Sequence, residues 1–407
     1  MERLSNEKVS RMLLIACFAA YAVTTLVKMC VPTVISAMVS ESFLTKSQSG
    51  LLSGIFYLTY GVGQLIFDEF FNNHKPFVGI KLALLGSAFC CLLMSLTDNF
   101  YLLLLIWSFC ALFNACFFPA LMKIVSFILC GKHSIWANRY LMIAVQSGTV
   151  LCLLSGSIII KYIGWVKLYY FSALVCIKCF IYWYIAELNT RRCFSQNVSK
   201  VKTDKNANQA LKKPIMDYIG TGIFCIFAVS FFNSLLNGVK NWAPTIIMET
   251  YDTSPSFSVL LNAVIIVTNI LFLMLIGKFA PHNKIKSLAI FFGITLPMII
   301  LMNFTSLYNE YVYVLLLGMF TSVTTYATNV TAIQVPFYFD KFNDVSRISG
   351  IANMCASFGL LVGNYAYGAL ADMFGWQIIM ILCTVFVVIN SILSVVAIPK
   401  FKRFTKI

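Results

Sequence analysis

Twelve apolar runs follow one another along the chain, and this succession constrains the fold more than any other feature. A helix that crosses a bilayer needs about 20 mostly apolar residues, and each run is near or above that length. The runs lie near residues 11–38, 47–71, 77–97, 101–130, 136–160, 165–186, 215–248, 257–276, 284–304, 309–336, 345–370 and 375–399. The pattern predicts twelve membrane-spanning helices.

The composition excludes an ordinary soluble protein. Of the 407 residues, 60% are hydrophobic and 11% are charged, and the mean hydropathy is +0.84. A soluble domain has about 45–50% apolar and about 25% charged residues, so this chain lacks the polar surface that a globule needs in water. The net charge of +15 would suggest a nucleic-acid partner in a soluble protein. Here basic cytoplasmic loops explain it, and we expect the lipid bilayer but no nucleic acid as a partner.

The basic residues fall almost entirely on one side of the predicted membrane. With both termini in the cytoplasm, 23 of the 30 Lys and Arg residues lie in inner loops and ends, and only Lys46, Lys161 and Lys167 lie outside. Cytoplasmic loops are enriched in Lys and Arg in membrane proteins generally. The asymmetry therefore predicts a multi-pass protein of the cell (cytoplasmic) membrane with both termini cytoplasmic.

One long polar stretch divides the apolar runs into two groups of six. It has no apolar periodicity and is typical of a linker. We expect an N-terminal six-helix bundle over residues 1–186, a basic cytoplasmic linker over 187–213 and a C-terminal six-helix bundle over 214–407. Two such halves resemble the major facilitator architecture, an all-α membrane fold whose halves rock about a site near the membrane midplane.

Lys28 is the most informative of four lysines within predicted spans, where a charge is costly and indicates function. At 1.5 Å per residue it lies roughly 24 Å into the first helix, on the face that carries Tyr21, Thr24 and Thr25. This hydroxyl-bearing face favours the wall of an aqueous cavity. The alternative is a structural lysine bonded to carbonyls of a neighbouring helix.

Of the other three lysines, two have two interpretations each and one has a single favoured interpretation. Lys123 lies near the cytoplasmic end of the fourth span, where it either contacts a substrate or extends to water. Lys240 lies toward the outer end of the seventh span and either guards a cavity mouth or extends outward. Lys178 has apolar neighbours, which favours a role without substrate contact.

Polar side chains recur on single faces of other spans. Hydrogen bonds between helices would explain some of them, but so many amides and hydroxyls favour a hydrated pathway. We therefore take ten residues as the candidate substrate-binding set: Lys28, Tyr57, Tyr60, Gln64, Lys123, Gln146, Asn237, Lys240, Asn329 and Asn353.

The chemistry missing from the spans also limits the function. None of the fifteen carboxylates is predicted at mid-membrane depth, and the three histidines fall in predicted cytoplasmic loops. A cavity with cations but no carboxylates favours an anionic substrate and does not favour coupling to protons. The sequence contains no Walker A loop, HExxH or GxSxG motif, and its single CxxC has no second pair for zinc. We expect no enzyme activity, cofactor or metal.

Three segments resemble the organophosphate:phosphate antiporters of the major facilitator superfamily, typified by the glycerol-3-phosphate transporter. They are LVKMCVPTVISAMV with the following GLLSGIFYLTYGVGQLI, then NGVKNWAPTIIMETY, then SGIANMCASFGLLVGNYAYGALADMFGW. The resemblance runs from about residue 15 to residue 395. It implies a twelve-helix antiporter of phosphorylated metabolites.

The resemblance also implies roles for individual positions. Lys28 stands where the family has a first-helix arginine that grips phosphate. Gln64 replaces a second-helix lysine, Gln146 falls near a fifth-helix histidine, and Leu236 occupies the seventh-helix arginine position. Where the family has two arginines that bind phosphate, this chain therefore has Lys28, with Lys240 one turn beyond Leu236. Lysine binds an anion as a point charge, whereas arginine can donate two parallel hydrogen bonds to it.

The sequence therefore predicts a monomeric secondary transporter for a small organic anion or phosphorylated metabolite, working by alternating access, with antiport against phosphate as one form. Two alternatives stay open. A transporter of neutral or amphiphilic solutes, such as a drug exporter, would fit the 36 Phe and 19 Tyr residues. A transporter-like membrane sensor would bind its ligand without moving it.

The charge asymmetry makes the topology directly testable. Reporter fusions at Lys202 and after the C-terminus should both report the cytoplasm, because each follows a segment rich in Lys and Arg. A fusion after Lys161 should report the opposite side and serves as the control. An external signal at Lys202 would contradict the two-bundle arrangement.

Overall fold

The structure is a computed structural model that describes residues 7–73, 76–125, 131–195, 215–281, 283–336, 338–339 and 345–404. Within these residues the chain is all-helical. The α-helices are α1 (Glu7–Ser40), α2 (Lys46–Asn73), α3 (Pro76–Met94), α4 (Phe100–Ala115), α5 (Phe117–Lys123), α6 (Gly131–Tyr162), α7 (Lys167–Ser195), α8 (Ile215–Tyr251), α9 (Pro255–Phe279), α10 (Lys284–Met302), α11 (Glu310–Asn329), α12 (Val345–Phe374) and α13 (Trp376–Phe404).

The helices have the lengths that membrane spans need. Among the described residues, eleven helical segments are long and apolar enough to cross a bilayer, with α4 and α5 together forming one of them. The remaining long helix, α2, has 28 residues. The outward faces carry large apolar side chains such as Phe89, Ile158 and Leu271, which suits contact with lipid. The predicted fold of twelve long helices agrees with this architecture.

Local chemistry sets where several helices begin. The Asn99 side chain accepts hydrogen bonds from the backbone amides of Tyr101 and Leu102, at 3.0 and 3.3 Å, and caps the start of α4. Such caps satisfy amides that have no partner inside the helix. Gly164 and Gly375 adopt φ angles of 94° and 75° in the turns that precede α7 and α13. Glycine reaches this left-handed region without steric cost.

The fourth predicted span, over residues 101–130, is broken at Cys116. Pro119 cannot donate to the carbonyl of Ala115, and its ring crowds that carbonyl, so α4 ends there and α5 begins at Phe117. A π-turn over Val330–Gln334 interrupts the tenth span in a similar place. Residues 126–130 lie outside the described residues.

Backbone contacts divide the chain into two compact units. The first comprises Met1–Ala37 with Thr59–Asp204, and the second comprises Met38–Leu58 with Lys205–Ile407. The first half of α2 therefore belongs to the second unit and its second half to the first, whereas the sequence assigns all of α2 to the N-terminal bundle. The boundaries predicted at residues 186 and 213 stay predictions.

The helix that precedes the predicted linker is longer than the sequence suggests. α7 continues to Ser195, past the expected end at residue 186, because Glu187 is held inside the first unit. Its side chain is only 2% exposed and pairs with Lys81 of α3 at 3.2 Å and with Arg191 of α7 at 2.6 Å. A buried carboxylate is tolerated because two cations neutralise it.

Close helix packing in the first unit depends on small residues. A Cβ atom at Gly148 of α6 would overlap the backbone carbonyl of Ala22 in α1, and one at Gly156 would overlap the side chain of Thr33. Small residues allow helices in membranes to approach closely, where van der Waals contact drives association.

Gly148→Leu should therefore destabilise the protein by forcing α6 away from α1. Overpacking typically costs about 1–3 kcal/mol, so the detergent-solubilised variant should lose its monodisperse state at a lower temperature than the wild type. Gly293→Leu in α10 is the control, because a Cβ there meets no atom within 4 Å. Equal thermal stability of the two variants would contradict the packing described.

Candidate functional site

Lys28 lies against an aromatic ring in the first unit. Its Nζ atom is 4.9 Å from the ring centroid of Tyr60 on α2. The Tyr60 hydroxyl in turn accepts a hydrogen bond of 2.9 Å from the Gln64 side-chain amide. A ring face attracts an ammonium by about 0.5–2 kcal/mol, depending on solvation. The structure thus brings three of the ten candidate residues together.

The hydroxyl face of α1 is satisfied within its own helix. Thr24 and Thr25 both donate to the backbone carbonyl of Tyr21, at 3.1 and 2.8 Å. The Tyr21 ring packs against Phe117 and Phe118, with centroid distances of 5.4 and 6.3 Å. Beside Lys28, α1 therefore contributes hydroxyl oxygens that still accept, together with an aromatic surface.

The other two candidates of the first unit lie on different helices. Lys123 is half-buried at the last position of α5. Gln146 is half-buried on α6, half a turn before Gly148, where α6 touches α1. Among the described residues, the Gln146 amide has no hydrogen-bond partner, so it could bind a ligand without losing a structural bond.

Lys240 has a different environment in the second unit. It is half-buried on α8, and its ammonium makes no hydrogen bond or ion pair with the part of the chain that the structure describes. The nearest acidic residue along α8, Glu249, pairs with Lys46 instead. An ammonium without a counter-charge in a membrane span is costly, and an anion that bound there would offset this cost.

The side-chain amides of Asn237 and Asn233, one and two turns before Lys240 on α8, are held in place by hydrogen bonds to α11. Asn237 donates to the Thr328 hydroxyl at 3.2 Å and accepts from the Thr324 hydroxyl at 2.8 Å. Asn233 donates to the Thr324 carbonyl and the Thr328 hydroxyl, at 3.0 and 2.9 Å. These bonds join α8 to α11, so Asn237 is held in one orientation beside Lys240.

Tyr57 belongs to a separate network, although it is one turn from Tyr60. Its hydroxyl donates to Asn241 at 3.3 Å, and Asn241 donates to Asn364 at 3.0 Å. Trp242 donates to the Asn364 carbonyl at 3.1 Å. Tyr57 is only 8% exposed. Much of this polar face is thus used in bonds between helices.

Among the described residues, the side chains of the last two candidates make no hydrogen bond to either group. Asn329 is half-buried at the end of α11, immediately before the π-turn. Asn353 is exposed on α12. Lys178 is exposed on α7 between the exposed apolar residues Leu174 and Ile181, which separates it from the half-buried Lys28 and Lys240.

An internal repeat relates the two half-buried lysines, which the hydropathy of single spans does not reveal. Residues 27–35 read VKMCVPTVI and residues 239–247 read VKNWAPTII. Lys28 and Lys240 each lie about three turns before the end of their helix, at Ser40 and Tyr251. Comparing the two halves of the sequence would have revealed this pair. Leu236, the position that the resemblance indicated, is fully buried.

A proline follows each lysine at the same distance. Pro32 and Pro244 lie inside α1 and α8, four residues after Lys28 and Lys240. Proline has no amide hydrogen, so the backbone carbonyl four residues earlier loses its helical partner. Each lysine thus combines a cationic side chain with a carbonyl released from the helix.

Comparison with known families identifies the class of protein. A sequence model described as the Major Facilitator Superfamily matches residues 15–339, which is more than half of the chain. The chain belongs to the Major Facilitator Superfamily. It is therefore a multi-pass membrane protein of a transporter superfamily, and family and fold together point to a transporter rather than an enzyme.

Solved structures support the fold of this superfamily member. A bacterial homolog of the human lysosomal transporter Spinster, crystallised inward-facing and unoccupied, matches with a TM-score of 0.76 and 16% identity, over 98% of this chain and 99% of that chain. The same homolog, inward-facing and occupied, matches with a TM-score of 0.71 and 15% identity over the same shares. No curated protein matches significantly. The narrower resemblance to organophosphate:phosphate antiporters stays a prediction.

The two asparagines of α12 offer a test that separates structural from exposed polar groups. Asn364→Leu should lower the thermal stability of the purified protein, because it leaves the buried Asn241 amide unpaired, at a cost of about 1–3 kcal/mol. Asn353→Leu, an identical change at an exposed position, should leave stability nearly unchanged. A stable Asn364→Leu variant would show that the network contributes little.

Proposed function

We propose that this protein is a secondary transporter that moves a small organic anion or phosphorylated metabolite across the cytoplasmic membrane by alternating access. The observation that carries this proposal is the pair of lysines at equivalent positions of the internal repeat, one in each unit. Binding sites in this fold class lie near the membrane midplane. Lys240, which pairs with no carboxylate among the described residues, favours an anionic substrate.

Antiport against phosphate is the form of this function that the charges support. A carrier with cationic residues in its spans reorients more easily when an anion neutralises them, because an unneutralised charge in lipid costs several kcal/mol. The carrier would therefore reorient with an anion bound in each of the two directions. Both termini are proposed to be cytoplasmic, from the charge asymmetry, and the monomer is proposed as the working unit.

A second candidate substrate class is neutral or amphiphilic solutes. The aromatic surface of Tyr21, Phe117 and Phe118 lies on α1 and α5, and the ring of Tyr60 already covers the Lys28 ammonium. Rings of this kind bind apolar parts of a ligand and require no charge on it. Transport that does not depend on lysine would favour this candidate.

Exchange by purified protein in liposomes, screened over phosphate and organic anions, tests the function itself. The liposomes would be loaded with phosphate or with one unlabelled anion, and uptake of labelled phosphate would be measured. Accumulation only in anion-loaded liposomes would support antiport. Equal uptake into loaded and empty liposomes would contradict it.

Lys28→Gln and Lys240→Gln should each weaken binding of the anion that the screen identifies. A charged hydrogen bond contributes about 1.5–3 kcal/mol, so each change should raise Kd by about tenfold to a hundredfold. Lys28→Arg should bind nearly as well as the wild type or better, because a guanidinium can donate two parallel hydrogen bonds to an anion. Binding would be measured by titration of the purified variants.

Lys178→Gln is the matched control, since it removes the same charge from an exposed position. It should bind as the wild type does. If Lys28→Gln and Lys240→Gln both bind the anion as tightly as the wild type does, the result would contradict the anionic substrate and favour neutral solutes.

A further inference from the structure

Two helices of the first unit, α1 and α7, meet near one surface of the membrane. The side-chain amide of Asn189 on α7 donates a hydrogen bond of 3.7 Å to the sulfur of Met12 on α1. Each of these residues lies within two turns of a helix terminus, at the start of α1 and at the end of α7. These helices are the first and sixth spans, and consecutive spans alternate in direction, so both termini lie on the same side of the membrane.

Exposed basic side chains extend from this contact on both helices. Lys8 precedes Met12 by four residues and Arg192 follows Asn189 by three, so each lies one turn nearer the membrane surface on the face that carries the contact. Arg11 follows Lys8 by three residues and is its neighbour on the surface of α1. All three basic side chains are exposed. Lys8, Arg11 and Arg192 are named the basic patch below.

The basic patch keeps an excess of positive charge. Of the side chains that the structure describes on α1, α3 and α7, only Glu187 is acidic. Its carboxylate is 2% exposed and is already neutralised by Lys81 and Arg191, at 3.2 and 2.6 Å. Arg11 makes no hydrogen bond or ion pair with the described residues. The patch is therefore suited to an anion that comes from outside the protein.

An apolar stripe on α7 leads from the basic patch into the membrane. It consists of large apolar side chains, each more than a third exposed, that precede Arg192 by four, seven and eleven residues. These are Leu188, Ile185 and Ile181. This spacing places them on one helix face together with Arg192. On α1, Ile15 is likewise exposed, one turn after Arg11, so both helices place apolar surface next to a cation.

We propose that the basic patch and the apolar stripe bind an anionic phospholipid, with its phosphate at Arg11 and Arg192 and its acyl chains along α7. The topology proposed above places this lipid in the cytoplasmic leaflet. Basic residues beside the ends of membrane helices attract anionic headgroups, and an arginine can donate two parallel hydrogen bonds to a phosphate. The bound lipid would link α1 to α7, and its binding is independent of the transported substrate.

A phospholipid fits this surface better than a free phosphate ion does. A free ion would contact only the exposed cations, and ion pairs in water contribute little. A phospholipid also contacts the apolar stripe, and it is confined to the membrane beside the patch, which raises its effective concentration there.

Phosphatidylglycerol is the probe for this site. Its binding to the purified full chain in a non-ionic detergent would be measured by native mass spectrometry. The wild type should bind it more tightly than phosphatidylcholine with the same acyl chains. Arg11→Gln/Arg192→Gln should raise the apparent Kd for phosphatidylglycerol by about tenfold to thirtyfold, because each basic residue near an anionic lipid contributes a several-fold gain. Its affinity for phosphatidylcholine should not change.

Lys278→Gln/Lys286→Gln is the matched control. It removes the same number of charges from exposed positions on the same predicted side of the membrane, but in the second unit. This variant should bind phosphatidylglycerol as the wild type does. If the double arginine variant does not fold, Arg11→Gln alone decides the outcome, with an expected rise in Kd of about threefold to fivefold.

Three results would overturn the lipid site. Unchanged affinity of the arginine variant would show that the patch does not contact the headgroup. Equal weakening in the arginine and lysine variants would show an effect of net charge only. Displacement of phosphatidylglycerol by inorganic phosphate at a similar concentration would assign the patch to the free ion.

Discussion

Every polar group in a membrane span must find its partner within the protein, and the structure follows from this constraint. Lipid offers no hydrogen bonds, so the backbone forms helices. Several side-chain amides follow the same rule: Asn233 and Asn237 bond to α11, and Asn241 bonds to Asn364. Buried Glu187 is neutralised by two cations. The Lys240 ammonium, by contrast, has no counter-charge among the described residues.

The repeat between residues 27–35 and 239–247 gives the two units equivalent lysines in unequal surroundings. Lys28 rests on the Tyr60 ring, which Gln64 holds in place through its hydroxyl. Lys240 lies beside amides already committed to α11. Each lysine therefore has its own local environment within its unit.

The polar stripes show how far sequence periodicity can lead. It places amides and hydroxyls on single helix faces, and the structure brings Tyr60 and Gln64 together beside Lys28. Yet the same periodicity grouped Tyr57 with Tyr60, whereas Tyr57 bonds to Asn241 in the second unit. A helix face that lines a transport pathway and a polar face that packs against another helix show the same spacing of residues along the sequence, because helical geometry alone sets that spacing. Only the neighbouring helix distinguishes them.

The sequence by itself determined the class of fold and the charges that the spans contain. Helix number and approximate bounds follow from apolar length, and the four lysines within spans are visible in the chain. The tertiary structure decided which of those groups are satisfied. It placed Lys178 on an outward face, extended α7 to Ser195 through the Glu187 ion pairs, and broke the fourth span before Pro119. It also brought Gly50, Trp242 and Asn364 together. These outcomes depend on contacts between residues far apart in the chain, and a local pattern of hydropathy contains no information about them.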